Sequence, residues 1–456
     1  MMIADAERLL SQAVSRQTDG DVEAALTLYR RALSLDPAHG RGWSFSSHAS
    51  HGKGLTLRAA RLAERAIAID PHQPLAHALR GFAAMQQARA SEATFWLRRA
   101  VALAPGYVLA LSNLAASLEQ TDGPPGVARW AMRAVAVDPA FPQARLNRAN
   151  AWLALGRWRE AWPDHELRLF LQDAYPHAPA RPRWTGETLP GATLLVHDEI
   201  GYGDVFNYAR YLPMARARVG RLILEVKPGL ARLYQGYPGI DQLLERSAAP
   251  PAIAHDVCLP LESLPGVFGT IPANVPPDEP APAPPAAAIE RWRAELVLSS
   301  PRLRVGLVWA GSAGSGLDAA RSCRLADLAP LGAVGGIEWI SLQRGPTTAQ
   351  LAAFPLPIAD IGSTVEDFAD TAAVILQLDA VVTVDTSVAH LAAALGRPTL
   401  ILLSRWPAWR WLLDRTDSPW YRTAELYRQR RPGEWSRPVG EIAARLAALR
   451  AAKVAA

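Results

Sequence analysis

The stretch Val384-Asp385-Thr386-Ser387-Val388-Ala389-His390-Leu391 has residue types and a spacing that could do chemistry. An apolar run ends at Val384. A helix is predicted from about Thr386 to just before Gly396, a residue suited to a helix C-terminus. A helix N-terminus offers free N–H groups and the positive end of the macrodipole. Thr386 and Ser387 add two hydroxyls, and the combination suits a phosphate or diphosphate. The competing explanation is a simple cap, in which Asp385 or Thr386 satisfies the orphan N–H groups. His390 falls one turn after Thr386 on the same face, placed to touch a ribose or phosphate or else to pack on the sheet. A second polar patch, His197 and Glu199 with Gly201-Tyr202-Gly203-Asp204, follows the apolar run Thr193–Val196. Cys258 and Cys323 are the only cysteines. That excludes a disulfide framework and a multi-cysteine zinc site.

These residues need elements to hold them. Thr193–His197, Leu222–Val226 and Asp256–Leu261 read as buried parallel strands, with a helical stretch over Val205–Leu212. Residues 272–285 contain seven prolines in fourteen positions, a composition that marks a linker. Beyond it the alternation restarts with Leu303–Trp309, Ile337–Gln343, Ala380–Val384 and Thr399–Leu403. Strands alternating with helices predict two α/β lobes. Ligands of open α/β sheets bind at the carboxyl ends of the strands. The active site is therefore expected between residues near 200 and residues near 310–390.

The amino-terminal third has another period. Pro37, Pro71, Pro105 and Pro139 are 34 residues apart. Each follows a helical segment with a small residue five positions back (Ala32, Ala66, Ala100, Ala134) and another seven before that (Ala25, Ala59, Ala93, Val127). Small side chains let two helices approach closely, and the proline ends the second. Asp19-Gly20-Asp21 reads as a turn and not as a metal motif. Trp43–His48 looks like poor helix material, and Gly123-Pro124-Pro125-Gly126 is expected in an inter-helix turn. A fifth unit, from Pro142 through Trp162, lacks the closing proline and is expected to cap the array.

This 34-residue pattern resembles tetratricopeptide repeats over roughly residues 4–140. Asp385–Leu391 followed by Gly396-Arg397-Pro398 resembles the sugar-nucleotide site of family 9 glycosyltransferases, the heptosyltransferase group. So do Val305–Gly311 and Ser341-Leu342-Gln343-Arg344-Gly345-Pro346. Trp409–Asp414 and Ser418–Tyr421 look like the tail of bacterial proteins that fuse such repeats to such a domain. The architecture is also similar to O-linked N-acetylglucosamine transferases. The resemblance implies a repeat solenoid followed by a two-lobed GT-B domain, an α plus α/β fold class. It implies an inverting, metal-independent transfer from a nucleotide-sugar, with no separate cofactor. Asp204, matching the aspartate of the family's Gly-Asp pair, would be the catalytic base, with His197 and Glu199 as second choices for base or acceptor contact. The alternative for Glu199 is a simple ion pair with a nearby arginine. Donor contacts are expected from Gly311, Arg321, Gln343, Arg344, Asp385, Thr386, Ser387 and His390, with Arg321 or Arg344 as the cation for the leaving diphosphate. Arg410 would touch the donor or the other lobe.

The expected domains are 1–170 (repeats and capping helices), 171–271 (first lobe, acceptor side), 272–300 (linker and helix) and 301–456 (second lobe, donor side). The chain of 456 residues carries 48 basic and 43 acidic side chains, a net +5 with no lysine-rich run, so nucleic-acid binding is not suggested. No apolar run is long enough to span a bilayer. The first residues lack a signal-peptide pattern, and a cytoplasmic location is expected. Three functions compete. The repeats hold a protein acceptor for transfer to Ser or Thr, with flagellin a candidate suggested by the architecture. Alternatively the acceptor is a saccharide or lipid-linked glycan, or the chain is an inactive repeat scaffold. The missing lysine after Trp309, Tyr202 within the glycine turn and Ala408 in place of an acidic residue favour the scaffold. Exposed repeat ends would allow a homo-oligomer.

Overall fold

A computed structural model describes residues 2–171, 181–199, 201–249, 253–296, 302–311 and 318–455. The 312–317 part of the loop leading to Arg321 and the 297–301 part of the interlobe segment lie outside these residues. The chain forms two compact units. One is Met1–Leu155 with Pro163–Leu171, and the other is Gly156–Trp162 with 172–456.

The first unit is a helical array: α1 (Met2–Thr18), α2 (Val22–Leu35), α3 (Gly40–Gly52), α4 (Thr56–Ile69), α5 (Pro74–Gln86), α6 (Ala90–Leu103), α7 (Val108–Ser117), α8 (Gly123–Val137) and α9 (Pro142–Ala154). The in-phase residues Ala32, Ala66, Ala100 and Ala134 are all buried, as are Ala25, Ala59, Ala93 and Val127. Each second helix closes identically. The N–H before the proline donates to the in-phase alanine carbonyl at 2.9 Å, from Asp36, Asp70, Ala104 and Asp138 in turn. Where that residue is aspartate, its carboxylate also accepts the N–H two residues on, at 3.1, 3.0 and 2.9 Å. At the first turn, Gly20 takes φ +86° and Asp21 caps α2 by accepting the Ala24 N–H at 3.1 Å.

Two expectations fail here. Trp43–His48 is helical, inside α3. Its serines are buried, and two of them bond residues further along the array: Ser44 donates to Gln73 Oε1 at 2.6 Å and Ser47 to the Ala59 carbonyl at 2.7 Å. Close packing of small, satisfied side chains outweighs their modest helix propensity. Gly123–Gly126 is the first turn of α8 and not the connection before it. Proline is tolerated there because the first N–H groups of a helix have no intrahelical partner.

The second unit holds two parallel sheets. The first has order β3-β2-β1-β4, from β1 (Leu189–His197), β2 (Val219–Val226), β3 (Gln242–Glu245) and β4 (Val257–Pro260). The second has order β10-β9-β8-β5-β6-β7, from β5 (Leu303–Val308), β6 (Ile337–Ser341), β7 (Ile358–Asp360), β8 (Ala380–Val384), β9 (Thr399–Leu403) and β10 (Ala424–Arg428). Sequence reading missed β3, β7 and β10, which are short or flank their sheets and carry polar residues. The central strands are apolar on both faces because both are covered, as in α/β sheets generally. No helix or strand forms over 272–285. The final helix, Ser436–Ala455, packs Val439, Ile442 and Leu446 into the core over β5, β8 and β9. No helix of the described residues is long and apolar enough to cross a membrane.

Candidate functional site

Strand β8 is buried along its whole length and ends at Val384. Thr386 is the N-cap of the helix Ser387–Ala394, with an extended backbone and no capping bond from its own side chain. Its hydroxyl lies 3.0 Å from that of Thr383, which donates to the Val384 carbonyl at 2.8 Å. The Thr383 proton is thus committed, so the Thr386 hydroxyl donates to Thr383 and keeps only acceptor capacity. Among the described residues, the Ser387 and Val388 amides meet no acceptor. Such first-turn N–H groups can receive an anion.

Across from this helix lies Tyr202–Tyr208, at the carboxyl end of β1. The two helices touch at Gly203, where a Cβ would stand 2.7 Å from Cδ2 of His390. Only glycine admits the imidazole this close. His390 stacks on Trp411 with ring centres 4.9 Å apart, and its Nδ1 is 3.0 Å from the Tyr421 hydroxyl. Burial, reinforced by Arg410, Arg210 and Arg321, holds its pKa well below the ordinary value, so the ring is neutral near pH 7.

Asp204 follows Gly203 directly. One carboxylate oxygen accepts the Gly201 N–H at 3.0 Å, closing the first turn, and the other accepts from Arg410. The same Arg410 nitrogen donates to Glu262 Oε1 at 3.0 Å, and Arg410 Nε donates to the Tyr208 hydroxyl at 2.9 Å. One guanidinium therefore serves two carboxylates from the first lobe. Burial pushes Asp204 up to about 6; Arg410 pulls it down and Glu262 pushes it up. Lys227 is lowered, chiefly by burial, and its Nζ donates to the Glu199 carbonyl at 3.0 Å.

The other sequence-derived residues separate into groups. Asp385 is buried, which raises its pKa against the pull of the Trp411 indole, Arg321 and Arg410; its Oδ1 is 3.9 Å from His390 Nε2. Arg321 is half-buried, and its charge acts on both Asp385 and His390. His197 and Glu199 are buried at the end of β1, where Glu199 interacts electrostatically with Arg183. The Gly311 N–H donates to Ser322 Oγ at 3.1 Å. Gln343 is buried, and its amide ties down the loop after β5. It accepts the Trp309 and Ala310 N–H groups at 3.1 and 3.0 Å and donates to the Ala310 and Arg344 carbonyls. Arg344 is exposed and reaches the Glu366 carbonyl at 3.5 Å, away from the cluster around Asp385. Asp204, Asp385, His390 and Arg410 thus come together with the first turn of the Ser387 helix, and Arg344 does not join them. Among the described residues, no group of three or more His, Cys, Asp or Glu side chains could hold a metal ion.

Sequence reading missed Glu262, Tyr208 and Lys227, and gave Tyr421 no role beyond its place in the Ser418–Tyr421 segment. The one available signal was positional: Glu262 comes just after the buried strand β4, at the sheet edge where ligands bind.

The family described as glycosyltransferase family 9 (heptosyltransferase) matches residues 365–410, a span that contains β8, the Ser387 helix and Arg410. Protein FlbA of Caulobacter vibrioides is 26% identical over 330 residues, covering 66% of this chain and 54% of the relative. The chain therefore spans about half the length of that curated relative. Two similar solved structures are tetratricopeptide proteins. YrrB, titled as having an unusual peptide-binding site, is 18% identical and covers 37% of this chain and 87% of its own, with TM-score 0.31. TTC0263 of Thermus thermophilus is 19% identical and covers 37% and 93%, with TM-score 0.32. The chain carries tetratricopeptide-like helical repeats joined to a two-sheet domain of GT-B-like architecture with a family 9-like segment.

Proposed function

We propose that this chain is an inverting glycosyltransferase that moves a sugar from a nucleotide-sugar to a Ser or Thr hydroxyl of a protein held by the repeats. The carrying observation is the contact between two helices: Gly203, next to the half-buried Asp204 on one lobe, meets His390 on the helix of the other lobe whose first amides can receive an anion. The family 9 match falls on that second element. Asp204 takes the acceptor proton as the hydroxyl attacks the anomeric carbon from the face opposite the leaving diphosphate. The Ser387 and Val388 amides receive the diphosphate, and Arg321 supplies the charge. The reaction needs no metal and no separate cofactor. Flagellin is a candidate acceptor, and the cytoplasm is the compartment this reading implies.

A thermal-shift screen with UDP, ADP, GDP, CDP, CMP and dTDP tests the donor side. At about 100 times its dissociation constant a ligand adds ~2.7 kcal/mol to stability. One nucleotide should stabilise the chain, and Arg321→Ala or Ser387→Ala should weaken the effect. No shift with any nucleotide refutes the donor site. A second reading, a repeat scaffold with a silent transferase unit, draws support from Arg410 pairing with both Asp204 and Glu262. It predicts no nucleotide binding at all.

A further inference from the structure

A carboxylate paired one-to-one with an arginine is a weak base, because the cation stabilises its ionised form. Asp204 would be such a group if it alone held Arg410. Glu262 changes that. It is 4% exposed, sits on the turn Leu261–Ser263 after β4, and bonds the same Arg410 nitrogen. A buried and a half-buried carboxylate then share one cation. We propose that Glu262 is a positioning residue that keeps Asp204 basic by dividing the charge of Arg410 between them.

The inference rests on the transferase reading for its purpose, but not for its physics. The titratable groups around Asp204 come from six elements. Tyr208 lies on its own helix and Glu262 on the turn after β4. Lys227 follows β2, Arg410 lies in the loop after β9, Tyr421 comes shortly before β10, and His390 lies against the adjacent Gly203 from the Ser387 helix. Arg410 stays charged, its pKa raised further by Asp204, Tyr208 and Glu262 against the effect of burial. His390 is neutral. Lys227 adds a more distant positive charge that opposes Glu262. The two carboxylates therefore titrate together around a fixed cation, and removing one charge lowers the proton affinity of the other.

The primary test needs no turnover. Stability is measured against pH for the full chain and for Asp204→Asn. Their difference contains a step where Asp204 titrates in the folded state. The pair is then repeated in the Glu262→Gln background. The step should move to lower pH by about one unit. A step that stays in place overturns the proposal. If Glu262→Gln does not fold, Glu262→Asp carries the same test with a smaller expected shift, because the shorter side chain draws its charge back. Where a donor is found, the acid limb of kcat/KM should move down with the step and the plateau should fall. A Glu262 that merely held Arg410 in place would lower the plateau and leave the limb where it was. If the step moves but no nucleotide-sugar is turned over, the coupling stands and the transferase reading falls.

Discussion

The repeat array and the two-sheet unit solve the same problem, ending a helix or a strand with polar groups satisfied, by opposite means. In the array every closure is local. The Asp36, Asp70 and Asp138 carboxylates accept from residues two positions on, and the identical bond to an in-phase alanine carbonyl recurs four times. In the two-sheet unit the decisive contacts are distant. Asp204 meets Arg410, Gly203 meets His390, and Glu262 meets Arg410, each across some 150 to 200 residues of chain. Local closures can be altered singly at small cost. Distant ones concentrate charge where solvent cannot relieve it.

The sharpest break in this contrast is Arg410→Ala. It leaves the buried Glu262 and the half-buried Asp204 without their cation, a situation that costs roughly 3–5 kcal/mol. Denaturant unfolding followed by tryptophan fluorescence should show that loss. On the activity side, Asp204→Asn should lower turnover by about 10²–10⁴-fold while nucleotide binding is retained; a variant with parental kcat removes Asp204 from the base role. Gly203→Ala should cost ~1–3 kcal/mol because its methyl meets the His390 ring. A neutral outcome would show that the two helices separate readily. His390 adds a pH dependence. Its folded pKa lies below its unfolded one, so the unfolded state binds the proton first as pH falls, and stability drops below about pH 6.5. Replacing His390 with Gln should flatten the loss between neutral and mildly acid pH in a series of melting curves. The smallest effect belongs to the array. Its third turn has Ala104 where the others have aspartate, so Ala104→Asp should gain about 0.5 kcal/mol at most, read as a small rise in melting temperature.

Legibility in the sequence follows the same division. The four prolines and their alanines announced the array because each closure is written within one repeat. The mistaken reading of Trp43–His48 came from propensity alone. Burial of Ser44 and Ser47 against Gln73 and the next helix could not be seen locally. The lobes were legible through their apolar central strands, and Asp385–Ser387 through its position after one of them. Glu262 and Tyr208 were not, because nothing near them in sequence signals that Arg410 will arrive from the far end of the chain. Gln343 shows the converse. Its motif was visible, but its amide is engaged by the Trp309, Ala310 and Arg344 backbone, a task that only the folded loop reveals.

The contact between Gly203 and His390 has one more consequence. The imidazole is neutral because the first lobe helps to seal it from water. Any parting of the lobes would hydrate the ring and return its affinity for protons toward that of free histidine. Its ring resonances, and the emission of the Trp411 indole stacked on it, then form a native reporter of cleft opening. Titrated in the presence of successive nucleotides and acceptors, that reporter would order the binding steps without a single added label.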